Sequence, residues 1–368
     1  MFYPPSSLRW CAALIFLAVA AGLYVGGALP LAVDMFTPPW DLLAHASVFA
    51  FVGVAAGVAS GTRGWRLLLF SLLGALVIGS LDEWHQLHLP GRHADWQDLL
   101  ADLIGGSLGV FCLGMVYRLA DGDAWPKRWQ ALLQKIHRLP VDTNDTSLLR
   151  RLSQPTRPTV LAFVNAHAMN SAVHDTDFFA SLISADTLLR DGSGMALLFK
   201  MLGMAPDQNL NGTDLIPRLI RQFHGRPIAL LGTQEPYLSR AAGAVKDDLE
   251  HDRLAAKAHG FMGPGYYLAL VRAHESELIV LGMGMPRQEE MACALRDALT
   301  QPCLIVCGGA IIDFLGGKTA RAPIWMRRFG LEWLYRLAQE PARLFRRYIL
   351  GNPLFLLRSL RLRWDQPR

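Results

Sequence analysis

Apolar positions along this chain fall into two regimes. In the first third they run almost unbroken: residues 11–33, 42–59, 66–81 and 99–116 are apolar over most of their length. A helix needs about 20 apolar residues to cross a bilayer, so these runs predict four transmembrane helices. The first could instead be a cleaved leader, but no convincing cleavage site follows it and further apolar runs do. Beyond residue 158 the apolar runs shorten and alternate with amphipathic ones. Residues 159–164, 187–189, 227–231, 278–281 and 303–307 read as buried strands. Residues 168–185 read as a helix, another opens near Ser193 and a third at Pro236. Strands separated by helices predict parallel pairing and a doubly wound α/β domain.

Between the two regimes, polar and proline residues mark a linker. It holds DGDAWPKRW, an amphipathic stretch with Ile136, then TNDTS and SQPTRPT. Trp125 and Trp129 beside Lys127 and Arg128 suit an interfacial segment just inside a membrane. A soluble helix packed on the next domain is the alternative. The expected division is a membrane domain over residues 1–120, a linker over 121–157, an α/β domain over 158–350 and a basic tail over 351–368.

Composition agrees with a membrane part joined to a globular part. Hydrophobic residues make up 52% of the 368 residues and charged ones 18%, against roughly 25% charged in ordinary soluble domains. Mean hydropathy is +0.23. The five cysteines show neither metal-ligand nor secreted-framework spacing, which fits a reducing compartment. Net charge is +5, unevenly placed. Arg9, then Arg63 and Arg66, then Arg118, Lys127, Arg128, Lys135 and Arg138 gather at one set of span ends. The opposite loops hold Asp34 and Arg92. By the positive-inside rule both termini, and with them the α/β domain, face the cytoplasm.

The span ends carry more polar residues than an anchor needs. Asp41 and His45 open the second span, Glu83 and Gln86 close the third, and Arg92 lies in the next loop. Asp95, Asp98 and Asp102 share one helix face entering the fourth span. Carboxylates near a bilayer pair or line a polar cavity; a polar collar on a simple anchor is the alternative. The stretches DLLAH, EWHQ and LPGRHADWQDLLADLIGG resemble the VanZ-like family over about residues 41–114, with Asp102 standing where that family more often has Asn. The resemblance implies a membrane domain and supplies no reaction.

In the α/β part the chemistry gathers around LIVLGMGMPRQEE. A buried strand ends at Gly282 and Gly284, where backbone must turn or approach a ligand closely, and Pro286 can open a helix. Strand, glycine turn and helix N-terminus suit binding at the carboxyl edge of a parallel sheet; a plain strand-to-helix turn is the alternative. Asp191, in RDGSG, follows another strand. It could serve as a base or merely cap the helix from Ser193. Asp313 in AIIDF reads more simply as satisfying backbone groups. Further on, Arg321, Arg327, Arg328, Arg336, Arg343, Arg346 and Arg347 outnumber Glu332 and Glu340. If one helix runs through them, Arg336, Arg343 and Arg347 share a stripe. Such a basic helical appendage, with Trp333 and Leu337 beside it, can lie on anionic membrane lipid at about 1 kcal/mol per basic residue. A solvated basic face or a nucleic-acid patch is the weaker reading, and no nucleic-acid partner is expected.

VNAHAMN, RDGSGM, NGTDL, ALLGT, GMGMPRQE, GGAIIDFLGG, RAPIWMRRFGLEWLYRL and EPARLFRRY occur in that order. Together they resemble the WecG/TagA/CpsF family, glycosyltransferase family 26, over about residues 159–348. The resemblance implies a Rossmann-like domain that transfers a sugar, with inversion, from a UDP-sugar to a polyprenyl-diphosphate-linked sugar. It implies no metal and no cofactor. It makes Asp191 the base that takes the acceptor hydroxyl's proton. It assigns Asn165 and Gln288, with Gly282 and Gly284, to the donor site, Asn211, Gly212 and Asp214 to the nucleotide or acceptor cleft, and Arg336, Arg343 and Arg346 to the acceptor or diphosphate; an N-cap is an equal alternative for Asp214. Phe163 stands where the family often has Thr, which puts one donor-binding hydroxyl in question. Two other classes remain for comparison. A nucleotide-dependent oxidoreductase would need a glycine fingerprint after the first strand, where VNAHAMN stands. A lipid-binding or transport protein would leave the α/β domain non-catalytic. The sugar, the polymer and the oligomeric state are not legible.

Overall fold

The computed structural model describes residues 4–27, 40–89, 95–120 and 125–364. The chain divides into two compact units between residues 122 and 123.

The first unit is helical: α1 (Ser6–Gly27), α2 (Trp40–Ser60), α3 (Trp65–Gln86) and α4 (Trp96–Ala120). Each is long and apolar enough to cross a membrane. Leu14, Leu17, Phe51, Leu68 and Phe111 are exposed, while Phe49, Val52 and Ala75 are buried between helices. That inversion of the soluble pattern is what lipid as solvent produces. Small residues let α2 and α4 touch. A Cβ on Gly105 would lie 2.1 Å from the Ala46 carbonyl oxygen, and one on Gly109 would lie 2.3 Å from that of Ala50. The far end of the expected first span, and the loops carrying Asp34 and Arg92, lie outside the described residues.

The second unit begins with a correction. The expected linker is folded: α5 (Trp125–Lys135) and α6 (Thr146–Ser153) are helices of the α/β core. Trp125, Trp129, Leu132 and Leu133 sit at helical spacing, and all four are buried. Trp129 Nε1 donates to the Met169 carbonyl at 2.8 Å. The tryptophans therefore serve the protein interior and leave no apolar face for a lipid interface. α6 buries Leu148, Leu149 and Leu152.

The remainder alternates as expected: β1 (Thr159–Val164), α7 (Ala166–His174), α8 (Thr176–Ser184), β2 (Thr187–Arg190), α9 (Gly192–Met201), α10 (Gly212–Gln222), β3 (Ile228–Gly232), α11 (Tyr237–Asp247), β4 (Leu254–Ala258), α12 (Pro264–Ala273), β5 (Leu278–Gly282), α13 (Arg287–Ala298) and β6 (Leu304–Cys307). All pairings are parallel, in the order β2-β1-β6-β5-β3-β4. Two cores flank the sheet. One holds Trp129, Phe178, Ile279 and Ile305; the other holds Ile216, Phe223, Val280 and Val306. The continuous apolar strands follow from burial on both faces.

Four details differ from what the sequence predicts. The single helix over 168–185 is two, because Asp175 caps α8, its Oδ1 accepting from Phe178 N–H at 2.9 Å. The short edge strand β4, LAAKA, carries too weak an apolar pattern to stand out. The arginine-rich end is not one helix. After α14 (Ile311–Leu315) and α15 (Ile324–Arg328) come α16 (Glu332–Gln339), α17 (Pro341–Phe345), a π-helical turn (Arg346–Leu350) and α18 (Gly351–Trp364). Pro341 cannot continue an i→i−4 ladder, and the chain turns at Glu340. The expected tail is packed too: Phe355, Arg358 and Leu362 of α18 are buried.

Candidate functional site

A cavity of about 260 Å³ opens at the carboxyl edge of the sheet. Every strand end contributes to it: Phe163 and Asn165 at the end of β1, Asp191 after β2, Thr233 after β3, Phe261 after β4, Gly282 to Met285 at the end of β5 and Cys307 to Ala310 at the end of β6. Parallel strands bring all their carboxyl ends to one rim, which is why residues far apart in sequence meet here.

Asp191 is at the N-terminus of α9, yet its side chain makes no capping bond there. Its N–H is taken by the Val164 carbonyl at 2.8 Å. Burial raises the Asp191 carboxyl above the ordinary aspartate range; a hydrogen bond from Asn165 and the charges of Arg347, Arg336 and Arg190 oppose that rise. Asn165 caps α7, its Oδ1 accepting from Ala168 N–H at 3.0 Å, so its amide nitrogen is the donor left for Asp191. The capping reading of Asp191 is thereby excluded, and an aspartate held between a donor and cations remains.

Three arginines from the C-terminal segment reach the cavity: Arg336, Arg343 and Arg347. Their stripe survives the broken helix because α16, α17 and the π turn fold around the same rim. Arg343 pairs with Glu340. Buried Nε atoms of Arg336 and Arg347 have no partner. Arg346 is exposed and outside the lining, which corrects its expected place. Burial together with Arg347 lowers the His167 imidazole to about 4, so it is neutral at physiological pH.

The donor-site expectations divide. Gly212 lines the cavity with Thr213, and the Phe163 ring packs 3.4 Å from where a Cβ on Gly212 would stand. Gly282 and Gly284 line it as well. A Cβ on Gly282 would lie 2.8 Å from Ile312, and Gly284 has φ 80°. Asn211 and Asp214 do not line it. Asn211 caps α10 through Asp214 N–H at 3.0 Å and donates to Asp214 Oδ2 at 2.8 Å. Asp214 Oδ1 pairs with Arg321 at 2.6 Å. Gln288 borders the cavity but is 1% exposed, with both ends of its amide bonded to protein.

Other lining residues were not singled out from sequence. Lys318 lies 3.2 Å from Asp313, whose other contact is the Thr233 hydroxyl. Arg287 donates to the Met262 carbonyl at 2.9 Å. Arg287 lies within GMGMPRQE and Asp313 within AIIDF, whereas nothing local marks Thr233 or Lys318. Arg287, Lys318, Arg336, Arg343 and Arg347 face Asp191 and Asp313, so the lining is cationic and suited to a diphosphate. Among the described residues, no three His, Cys, Asp or Glu side chains converge as metal ligands.

Residues 130–368 match the model of the glycosyl transferase WecG/TagA/CpsF family. The chain belongs to that family. It is 26% identical over 237 residues, 62% of this chain and 91% of the relative, to the N-acetylglucosaminyldiphosphoundecaprenol N-acetyl-beta-D-mannosaminyltransferase of Bacillus subtilis (strain 168). It is 27% identical over 175 residues, 47% of this chain and 68% of the relative, to the protein of the same name from Bacillus spizizenii (strain ATCC 23059 / NRRL B-14472 / W23). Residues 24–117 match the VanZ/LLP1 family. This is a glycosyltransferase with a VanZ-type membrane domain ahead of it.

In that membrane domain, His45 Nδ1 lies 2.9 Å from Asp102 Oδ1 and His45 Nε2 lies 3.9 Å from Asp98 Oδ2. Glu83 Oε2 accepts from Asp95 N–H at 2.8 Å, and Gln86 donates to Asp82 at 3.1 Å. Asp41 accepts from Leu42 N–H at 2.8 Å. Of the candidate partners for these carboxylates, Arg92 and the nearby histidines, His45 is the one seen beside them, and Arg92 lies outside the described residues.

Proposed function

We propose that this protein is a membrane-tethered, inverting glycosyltransferase. It would move a sugar from a UDP-sugar to a polyprenyl-diphosphate-linked sugar at the cytoplasmic face. The observation that carries this reading is Asp191 at the strand edge, facing arginines with unpartnered donors. An acceptor hydroxyl oxygen attacks C1 of the donor sugar while its proton passes to Asp191. The bond from C1 to the diphosphate oxygen breaks, and its electron pair leaves with UDP. Arg336, Arg343, Arg347 and Lys318 offset the charge that develops there. Because these cations can do that work, the reaction is read as metal-independent.

Both Bacillus relatives are named for an undecaprenol-diphosphate acceptor and N-acetylmannosaminyl transfer. That makes UDP-N-acetylmannosamine the first donor to try, with its uronic acid and UDP-glucose next. The product would enter exopolysaccharide or another cell-envelope glycan. Exposed Ile324, Trp325, Phe329, Phe345 and Ile349 lie among the C-terminal arginines, a combination that suits a lipid surface.

The test is full-length protein in nanodiscs with each UDP-sugar and a polyprenyl-diphosphate N-acetylglucosamine acceptor. The expected result is one glycosylated lipid with inverted anomeric configuration. UDP binding with no lipid product from any donor would favour the other reading, a lipid-binding or transport protein with a non-catalytic domain.

A further inference from the structure

Gln288 and Glu289 form a polar pair behind the cavity floor, each 1% exposed. Gln288 Nε2 donates to Glu289 Oε1 at 2.8 Å, and Gln288 Oε1 accepts from Gly309 N–H at 3.0 Å. A carboxyl oxygen that accepts obliges the amide nitrogen to face it, so the amide oxygen must face Gly309. Gly309, at φ 59°, sits in the turn after β6 that lines the cavity. Both polar atoms of the Gln288 side chain are thus engaged within the protein, and through them it braces the turn.

Glu289 Oε2 is buried without a partner. One titratable group among the described residues acts on this carboxyl, Glu290 on the same helix; the carboxyl in turn raises the Cys307 thiol on β6, which burial already pushes up. No basic side chain among the described residues is one of the groups that shift it. Burial, with Glu290 adding, raises Glu289 to about 8. The group therefore holds its proton far above the ordinary glutamate range and is mostly neutral at pH 7.

We propose that neutral Glu289 is a positioning residue for the diphosphate of the nucleotide donor: it orients Gln288, which sets the turn of Gly308 and Gly309, and it keeps the cavity floor uncharged. This rests on the UDP-sugar reading above. Ionisation would place a buried negative charge under a diphosphate. Nucleotide and proton binding are then linked, each favouring the other.

The test uses full-length protein in nanodiscs with UDP as probe, by calorimetry about one unit below and one above pH 8. Wild type should lose affinity on the order of tenfold at the higher pH. Near pH 8 its binding should take up a proton, seen as an enthalpy that depends on the buffer. Glu289→Gln should bind alike at both pH values, as wild type does at the lower one, and should take up less. Both proteins share the ionisation of UDP itself, so the difference isolates Glu289. Equal pH dependence or equal proton uptake in the two would overturn the proposal. If wild type binds no UDP at either pH, the donor reading fails, and hydrogen exchange of the Gly309 peptide decides the rest. Protection corrected for intrinsic rate should drop across pH 8 in wild type but not in Glu289→Gln; identical protection would remove the bracing role. Should Glu289→Gln unfold, the wild-type pH series stands alone, and flat affinity with no proton uptake overturns the idea.

Discussion

At the scale of single residues, Asp191 carries the most consequence. It must be ionised to accept a proton, so activity should hold above its folded pKa and fall as pH drops through it. Burial raises that pKa, so the acid limb should sit above where an ordinary aspartate would place it. Asn165→Ala removes a bond that lowers the pKa and should move the limb higher still; an unmoved limb would argue that another group is the base. Asp191→Asn should cut turnover roughly 10²–10⁴-fold while UDP affinity stays close to wild type. Glu289 acts on stability with the opposite pH sense. The folded state holds its proton up to about 8, against an ordinary 4.5, so stability falls as pH rises through that window. Its slope would be at most about 1.4 kcal/mol per pH unit from this group. Unfolding of wild type and Glu289→Gln across the window reads it directly.

Elements explain why the arginines divide as they do. A continuous helix would place Arg343, Arg346 and Arg347 by its period alone. The turn at Glu340 and Pro341, followed by a π turn, instead brings Arg343 and Arg347 to the cavity and leaves Arg346 in solvent. Removing a charge-assisted contact costs about 1.5–3 kcal/mol. Arg347→Ala should therefore slow transfer about 10- to 100-fold, whereas Arg346→Ala should change it little. Membrane fractionation of both full-length variants should match wild type, since four apolar helices remain. Equal losses in the two would mean that the diphosphate is held elsewhere. In α5 the same logic applies to packing. Trp129 is wholly buried and bonded to the Met169 carbonyl, so Trp129→Ala should destabilise the α/β unit by about 3–5 kcal/mol. An interfacial tryptophan would show no such loss in a denaturation curve.

For the whole molecule, two expectations follow from its two units. A lipid-anchored acceptor keeps its diphosphate near the headgroups, and helices ahead of the catalytic unit raise the local concentration of one for the other. A reporter in the Asp34 loop should read periplasmic and one after Arg368 cytoplasmic; a periplasmic C-terminus would exclude a cytosolic donor. The second expectation concerns where the catalytic unit can be cut free. A fragment starting near Thr156 loses α5 and α6, stripping Trp125, Trp129, Leu149 and Leu152 from the two faces of the sheet. It should aggregate, whereas one starting at Asp123 should be soluble or bind membranes through its C-terminal surface. Limited proteolysis and gel filtration of both would decide this.

Those fragments mark the line between what sequence determines and what needs tertiary structure. The length of the apolar runs sets four helices, because a bilayer demands that length of any helix. Alternation of buried strands with helices sets a parallel sheet, whose carboxyl edge is where Asp191, Gly282 and Gly284 had to fall. Ordered motifs were enough to indicate the family. Periodicity identifies an apolar face but not the surface it meets, so Trp125 and Trp129 suited a membrane until the sheet was there to cover them. It likewise places a polar residue on a rim without saying who takes its hydrogen bonds. Asn211, Asp214 and Gln288 look like ligand contacts in a string of letters. In the fold, their groups are bonded to one another, to Arg321, Glu289 and Gly309, and to the α10 backbone. Thr233 and Lys318 reach the cavity only through the tertiary fold, which no local pattern encodes, whereas helical spacing already grouped Arg347 with Arg336 and Arg343.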